Sequence, residues 1–190
     1  MDTSQLVGRE RELESLSRYW DEAFAGKPRF VLCRGDPGVG KTKLAEALSA
    51  QITGRGGVCV WGRGAEAEGA PPYWPWRRTL VNLAAQVDYE RVLQESGASA
   101  GDLVLIAPEL RSFGPEEQAS QETVGSERRF QLFQSVGNLI KTAAAGRGLL
   151  IILEDLHGAD QPTLLLLMHL VRWVADAQIL LLATFRPPEL

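Results

Sequence analysis

Gly35-Asp36-Pro37-Gly38-Val39-Gly40-Lys41-Thr42 is the stretch whose reading decides the fold. It fits G-x-x-x-x-G-K-[ST] without a mismatch, a pattern that residue frequencies alone would produce in about one chain in a hundred of this length. Its flanks supply the other half of the signal. Phe30-Val31-Leu32-Cys33 predicts a short buried strand, and Lys43 to Ile52, apolar at Leu44, Ala47, Leu48 and Ile52, predicts a helix. A glycine-rich loop between a strand and a helix N-terminus is built to hold phosphates. Gly35, Gly38 and Gly40 permit turns that aim successive backbone N–H groups inward, and the helix end adds partial positive charge. Lys41 then serves as a point charge for the β- and γ-phosphates, and the Thr42 hydroxyl as a ligand for Mg²⁺. Asp36, Pro37, Val39 and Lys43 complete the wrap around the nucleotide.

The second diagnostic stretch lies far along the chain, at Leu149-Leu150-Ile151-Ile152-Leu153-Glu154-Asp155. Five apolar residues followed by two acids fit a strand buried on both faces of a parallel sheet, with carboxylates emerging at the C-terminal end where ligands bind. Beside a phosphate loop, such acids point to a metal and to the activation of water; strand alternation leaves open which of the two does which. Val58-Cys59-Val60-Trp61 predicts another strand. Gln178-Ile179-Leu180-Leu181-Leu182-Ala183-Thr184 predicts the last, and Thr184 and Arg186 at its tip offer hydrogen-bond donors where a γ-phosphate would lie.

Helical spacing appears at Leu13, Leu16, Trp20 and Phe24, stopped by Gly26-Lys27-Pro28, and again from Trp76 through Leu80, Leu83, Ala84 and Val87, with Pro75 suited to the first turn. A long helix is predicted from Ser126, an N-cap candidate, through Phe130, Phe133, Val136, Ile140 and Ala144 to Gly146, and a very apolar one from Thr163 to Val174. The aromatic segment Pro71-Pro72-Tyr73-Trp74-Pro75-Trp76 is expected to pack a loop onto the core. Gly62 to Ala70 reads as a flexible acidic loop. From Asp88 to Gln121 only short helical pieces around Val92-Leu93 and Leu103-Ile106 are visible, and no chemistry is assigned to them. His169 reads as a core or helix-surface residue, whereas His157 is divided between loop structure and phosphate sensing.

At 190 residues, 45% hydrophobic and 23% charged, the chain suits one ordinary globular domain. The net charge of −4 and the scatter of its basic residues, sixteen of twenty being Arg, argue against direct nucleic-acid contact by this piece. Cys33 and Cys59 lack metal-ligand spacing and read as buried free thiols. Met1 to Gln5 have no secretory pattern, and no apolar run approaches a membrane span, so a cytoplasmic location without membrane contact is expected.

Taken together, Val7-Gly8-Arg9-Glu10 with Glu12-Leu13, the phosphate loop, Pro71 to Trp76, Leu150 to Asp160 and Leu181-Leu182-Ala183-Thr184-Phe185-Arg186 resemble the AAA- and STAND-type P-loop NTPases. More specifically, the chain resembles the N-terminal ATPase domain of large ATP-binding transcriptional regulators of the LuxR type and related modules of cyclase-linked signalling proteins. The resemblance implies an α/β three-layer sandwich with a mainly parallel sheet of ASCE order, in which the Thr-tipped strand lies between the phosphate-loop strand and the acidic strand. It divides residues 1–190 into an adenine-side helix (1–28), a phosphate-loop unit (29–64), an irregular helical insertion (65–125) and an acidic-strand and sensor-strand unit (126–190). It further implies that Val7 and Arg9 help seat adenine, that Glu154 stands on the metal side with Asp155 as the acid that polarises water, and that Arg186 reports the γ-phosphate. Glu154 stands where many relatives have Asp, and Gly158 where many have Trp.

The resemblance thus implies an ATP/ADP and Mg²⁺ switch that hydrolyses slowly. Its partners would be a lid, sensor repeats and a helix-turn-helix domain of a longer chain, with ATP-dependent self-association beside them. Pro187-Pro188 after the last strand fits a chain that leaves the sheet without entering a lid, so residues 1–190 alone are expected to bind nucleotide weakly and turn over slowly. Two rivals stand beside this expectation. One is an initiator-like AAA ATPase acting as a motor or loader on DNA, disfavoured by the acidic charge; the other is a non-hydrolysing nucleotide-binding scaffold, disfavoured by intact Lys41, Thr42 and both acids.

Overall fold

Strands β1 (Arg29–Arg34), β2 (Val58–Arg63), β3 (Leu149–Glu154) and β4 (Ile179–Phe185) form one parallel sheet in the order β1-β4-β3-β2. The computed structural model that shows this describes residues 8–64, 70–114 and 126–186. The Thr-tipped β4 lies between β1 and the acidic β3, the ASCE order that the resemblance implies. Every residue of β3 is buried, as is every residue of β4 up to Thr184. Their sequences are apolar without alternation because each face of the sheet has its own cover of helices.

On one face Val58, Val60, Leu149, Ile151, Leu153, Ile179, Leu181 and Ala183 pack against α3 (Trp74–Ala84), α4 (Tyr89–Ser96), α5 (Ala100–Ile106), α6 (Ser126–Ala144) and α7 (Gln161–Trp173). On the other, Cys59, Leu150, Ile152, Leu180 and Leu182 meet α1 (Glu10–Phe24) and α2 (Lys41–Gly54) through Leu16, Trp20, Leu44, Leu48 and Ile52. The result is a three-layer α/β sandwich of the P-loop NTPase kind. Register brings the C-terminal ends of the strands to one edge, with Glu154 level with Arg63 and Cys33 level with Thr184. No helix among the described residues is long and apolar enough to cross a membrane.

Some expectations need correction, among them the loop expected from Gly62, since Gly62 and Arg63 belong to β2. β1 is not a buried strand but an edge strand among the described residues, with Leu32 67% exposed. A run of four apolar residues looks the same whether a strand has one neighbour or two. The stretch from Asp88 to Gly114 is more regular than its composition suggests: α4, α5 and a 3-10 turn (Pro108–Ser112) bury Tyr89, Val92, Leu93, Leu103, Ile106 and Leu110. Asp88 caps α4 by accepting from Arg91 N, and Ser99 caps α5 by accepting from Asp102 N. Asp102 is itself buried, held 2.6 Å from Arg128 and accepting from Ser135 Oγ at 2.8 Å, so a charged pair ties α5 to α6.

The aromatic segment packs inward at Trp76, whose ring is fully buried and whose Nε1 donates to Thr163 O at 3.1 Å, joining α3 to the start of α7. Trp76→Ala would remove that bond and open a large cavity in the same step. It should lower unfolding free energy by about 3–5 kcal/mol in urea denaturation, and a loss below about 1 kcal/mol would contradict the packing role given to Trp76.

Candidate functional site

The phosphate loop leaves the C-terminal end of β1 and turns directly into α2. Gly38 and Gly40 take positive φ values of 79° and 92°, conformations that a side chain would strain. At Gly35 an added Cβ would stand 2.9 Å from Val39 Cγ2, so a larger residue there would displace the Val39 side chain. Gly40 caps α2 and offers no side-chain acceptor, leaving the first N–H groups of the helix to whatever the loop holds. Lys41 folds back over the loop, its Nζ donating to Gly35 O at 2.8 Å and Asp36 O at 2.9 Å. Those are neutral acceptors for a cation, and a phosphate oxygen is a stronger one.

Thr42, at the start of α2, and Glu154, at the end of β3, meet across 112 residues of chain: Thr42 Oγ1 donates to Glu154 Oε1 at 2.7 Å. Glu154 is only 8% exposed, so this carboxylate is held among buried groups with a hydroxyl against it. The two oxygens fit Mg²⁺, which takes hard oxygen ligands and completes its shell with water and phosphate. The described residues contain no cluster of three or more His, Cys, Asp or Glu that would hold a metal without such outside ligands.

Asp155 points elsewhere. Its backbone is left-handed (φ 54°, ψ 48°), and its N–H donates to Thr184 Oγ1 at 3.1 Å, so the tip of β4 fixes the bend. Its carboxylate lies between Arg63 Nη2 at 3.5 Å and Arg186 Nε at 3.8 Å, arginines from the ends of β2 and β4. Sequence reasoning did not single out Arg63. Its position as the last residue of a strand beside the acidic one was the available signal. Gly64 follows it, donating to Glu154 O at 2.7 Å, and an added Cβ there would collide with the Asp155 carbonyl.

Arg9 joins the site from the other side. Its Nη1 pairs with Glu12 at 2.7 Å and its Nη2 donates to Val39 O at 3.1 Å, which sets the guanidinium on the crest of the phosphate loop. The Arg9 guanidinium holds the Glu12 carboxyl below the usual carboxylate range. Val7 lies outside the described residues, as do the acidic segment 65–69 and Pro187-Pro188.

His157 is exposed in a 3-10 turn just past Asp155. Asp160 caps α7, accepting from Thr163 N at 2.8 Å, and also accepts from Tyr73 N at 3.4 Å. His169 stacks on Trp173 with centroids 5.3 Å apart and burial pushes its imidazole down; it belongs to the α6–α7 packing, but its buried Nε2 has no hydrogen-bond partner among the described residues. Cys59 is a buried free thiol, while Cys33, also free, is only half-buried.

A family model described as the AAA ATPase domain matches residues 5–182. The chain belongs to the AAA ATPase domain family. No curated protein matches it. Membership of this family implies nucleotide binding, and among the described residues the glycine-rich loop with Lys41 and Thr42 is an arrangement suited to it. The Lys41 side chain bonds to loop carbonyls rather than to the core, so Lys41→Ala should lower ATP affinity at least tenfold, the loss of about one charge-assisted hydrogen bond or more, without moving the melting temperature. Calorimetric titration and a thermal melt on the same protein check this; retention of ATP affinity within a few-fold would contradict it.

Proposed function

We propose that this AAA ATPase domain is the ATP-operated, slowly hydrolysing switch of a larger signal-responsive transcriptional regulator in the cytoplasm. The observation that carries the reading is the divergence of the two acids: Glu154 turned to Thr42, Asp155 held between Arg63 and Arg186. Lys41 would leave the Gly35 and Asp36 carbonyls for the β- and γ-phosphates of ATP. Thr42 Oγ1 and the Glu154 carboxylate would hold Mg²⁺, which supplies charge neutralisation on the phosphates. Asp155 would accept the proton of the attacking water, and Arg63 and Arg186, 3.5 and 3.8 Å from its carboxylate, would compete for it. Arg186 is the natural candidate to exchange Asp155 for the γ-phosphate. An acid restrained in this way favours binding followed by slow turnover, which suits a switch whose ATP and ADP forms differ in the arrangement of attached domains. Those domains would be a lid, sensor repeats and a helix-turn-helix, with self-association in the ATP form.

Two variants test the division of labour. Asp155→Asn should keep Mg-ATP affinity within about threefold and slow single-turnover hydrolysis about a hundredfold or more, the usual contribution of a general base. Glu154→Gln should make ATP binding nearly independent of Mg²⁺. Hydrolysis by Asp155→Asn at the parent rate would remove the base from this mechanism. In the full-length regulator, Asp155→Asn should activate a reporter without signal and Lys41→Ala should silence it; a reporter unaffected by both would overturn the regulatory role while leaving nucleotide binding in place.

A further inference from the structure

We propose that Arg9 is a positioning residue for the phosphate loop, fixing the Val39–Gly40 peptide so that the Gly40 N–H faces the phosphates. The inference rests on the assignment of that loop to phosphate binding. Arg9 stands immediately before α1 and is steadied by Glu12 within the first turn of that helix. From there its second guanidinium nitrogen reaches the Val39 carbonyl, thirty residues along the chain. A trans peptide is planar, with its C=O and N–H pointing in opposite directions. A Val39 carbonyl held outward on Arg9 therefore sets the Gly40 N–H on the opposite side of the loop.

The restraint matters because the Gly40 carbonyl is tied to Leu44 N at 3.0 Å, while the carbonyl of the preceding peptide, that of Val39, is met by Arg9. Gly40 has no side chain and sits at φ 92°, one of several backbone regions open to glycine. The Val39 side chain is 39% exposed, and its N–H meets Asp36 O at 3.5 Å, the outer limit of a hydrogen bond. A forked guanidinium can make both contacts at once, one nitrogen on the carboxylate and another on the carbonyl, an arrangement that a lysine ammonium on a flexible stem does not reproduce. The resemblance to known regulators implies an adenine-side role for Arg9, and the two roles differ in which part of the ligand feels the loss.

The experiment compares ATP with inorganic tripolyphosphate, which has the phosphates but neither adenine nor ribose. Binding of both is measured to the parent, Arg9→Ala, Arg9→Lys and Glu12→Gln. Arg9→Ala should weaken both compounds by the same factor, about tenfold for one charge-assisted hydrogen bond, leaving the ratio of their dissociation constants unchanged. Arg9→Lys should recover little of the loss, and Glu12→Gln should fall between parent and Arg9→Ala. If Arg9→Ala weakened ATP and left tripolyphosphate untouched, Arg9 would be an adenine contact and this inference would fail alone. Full recovery in Arg9→Lys would assign the effect to charge and also overturn it. A parent that binds neither compound would overturn the phosphate-loop assignment itself, and this inference with it.

Discussion

Burial of β3 and β4 on both faces is the constraint from which the site follows. Two strands that are apolar along their length must lie at the centre of the sheet, with helices above and below. In a parallel sheet such strands all deliver their C-terminal ends to one edge, and the first polar residues after each apolar run have nowhere to go but that edge. Glu154, Asp155, Thr184 and Arg186 are thus neighbours because the hydrophobic runs before them end level with one another. The phosphate loop arrives at the same edge from β1. Apolar burial sets the positions, and the polar groups supply the chemistry with short bonds such as the one between Thr42 and Glu154.

Much of this was legible in the chain because the informative signals are local. The loop pattern is eight consecutive residues, and the apolar stretch ending in two acids is seven. Strand order was legible only through resemblance, since nothing in Ile179 to Phe185 taken alone says which neighbours it will have. The misreading of β1 has the same root. Phe30-Val31-Leu32-Cys33 carries the composition of a central strand, and its exposure at Leu32 depends on the sheet around it. Asp88 to Gly114 was opaque for another reason: its helices are short, and the Asp102–Arg128 pair that fastens them joins two helices far apart in sequence.

The groups that pattern reading missed are those whose importance comes from contact rather than type. Arg63 is one of sixteen arginines, and its place beside Asp155 appears only once β2 lies next to β3. Arg9 was visible as part of Val7-Gly8-Arg9-Glu10, but its reach to Val39 required α1 to be docked against the loop. In both cases a long, forked cation settles on an oxygen supplied by a distant part of the chain. Sequence spacing has no means of encoding such a contact.

Consecutive residues of a strand project to opposite faces, so one acid facing Thr42 would ordinarily send the next into the opposite helical layer. That does not happen at Glu154 and Asp155, because the chain leaves the strand at Asp155 by a left-handed bend, and the carboxylate swings to the sheet edge between two arginines. A non-glycine residue holds that conformation only against a cost of order 1–3 kcal/mol, which the surrounding structure must offset. The Thr184 hydroxyl, accepting the Asp155 N–H, is the visible contribution from β4. It links the bend to the same strand that carries Arg186 just beyond its end. The strand whose Thr184 hydroxyl fixes the Asp155 bend is therefore also the one that brings Arg186 to the carboxylate, while Arg63 reaches it from β2.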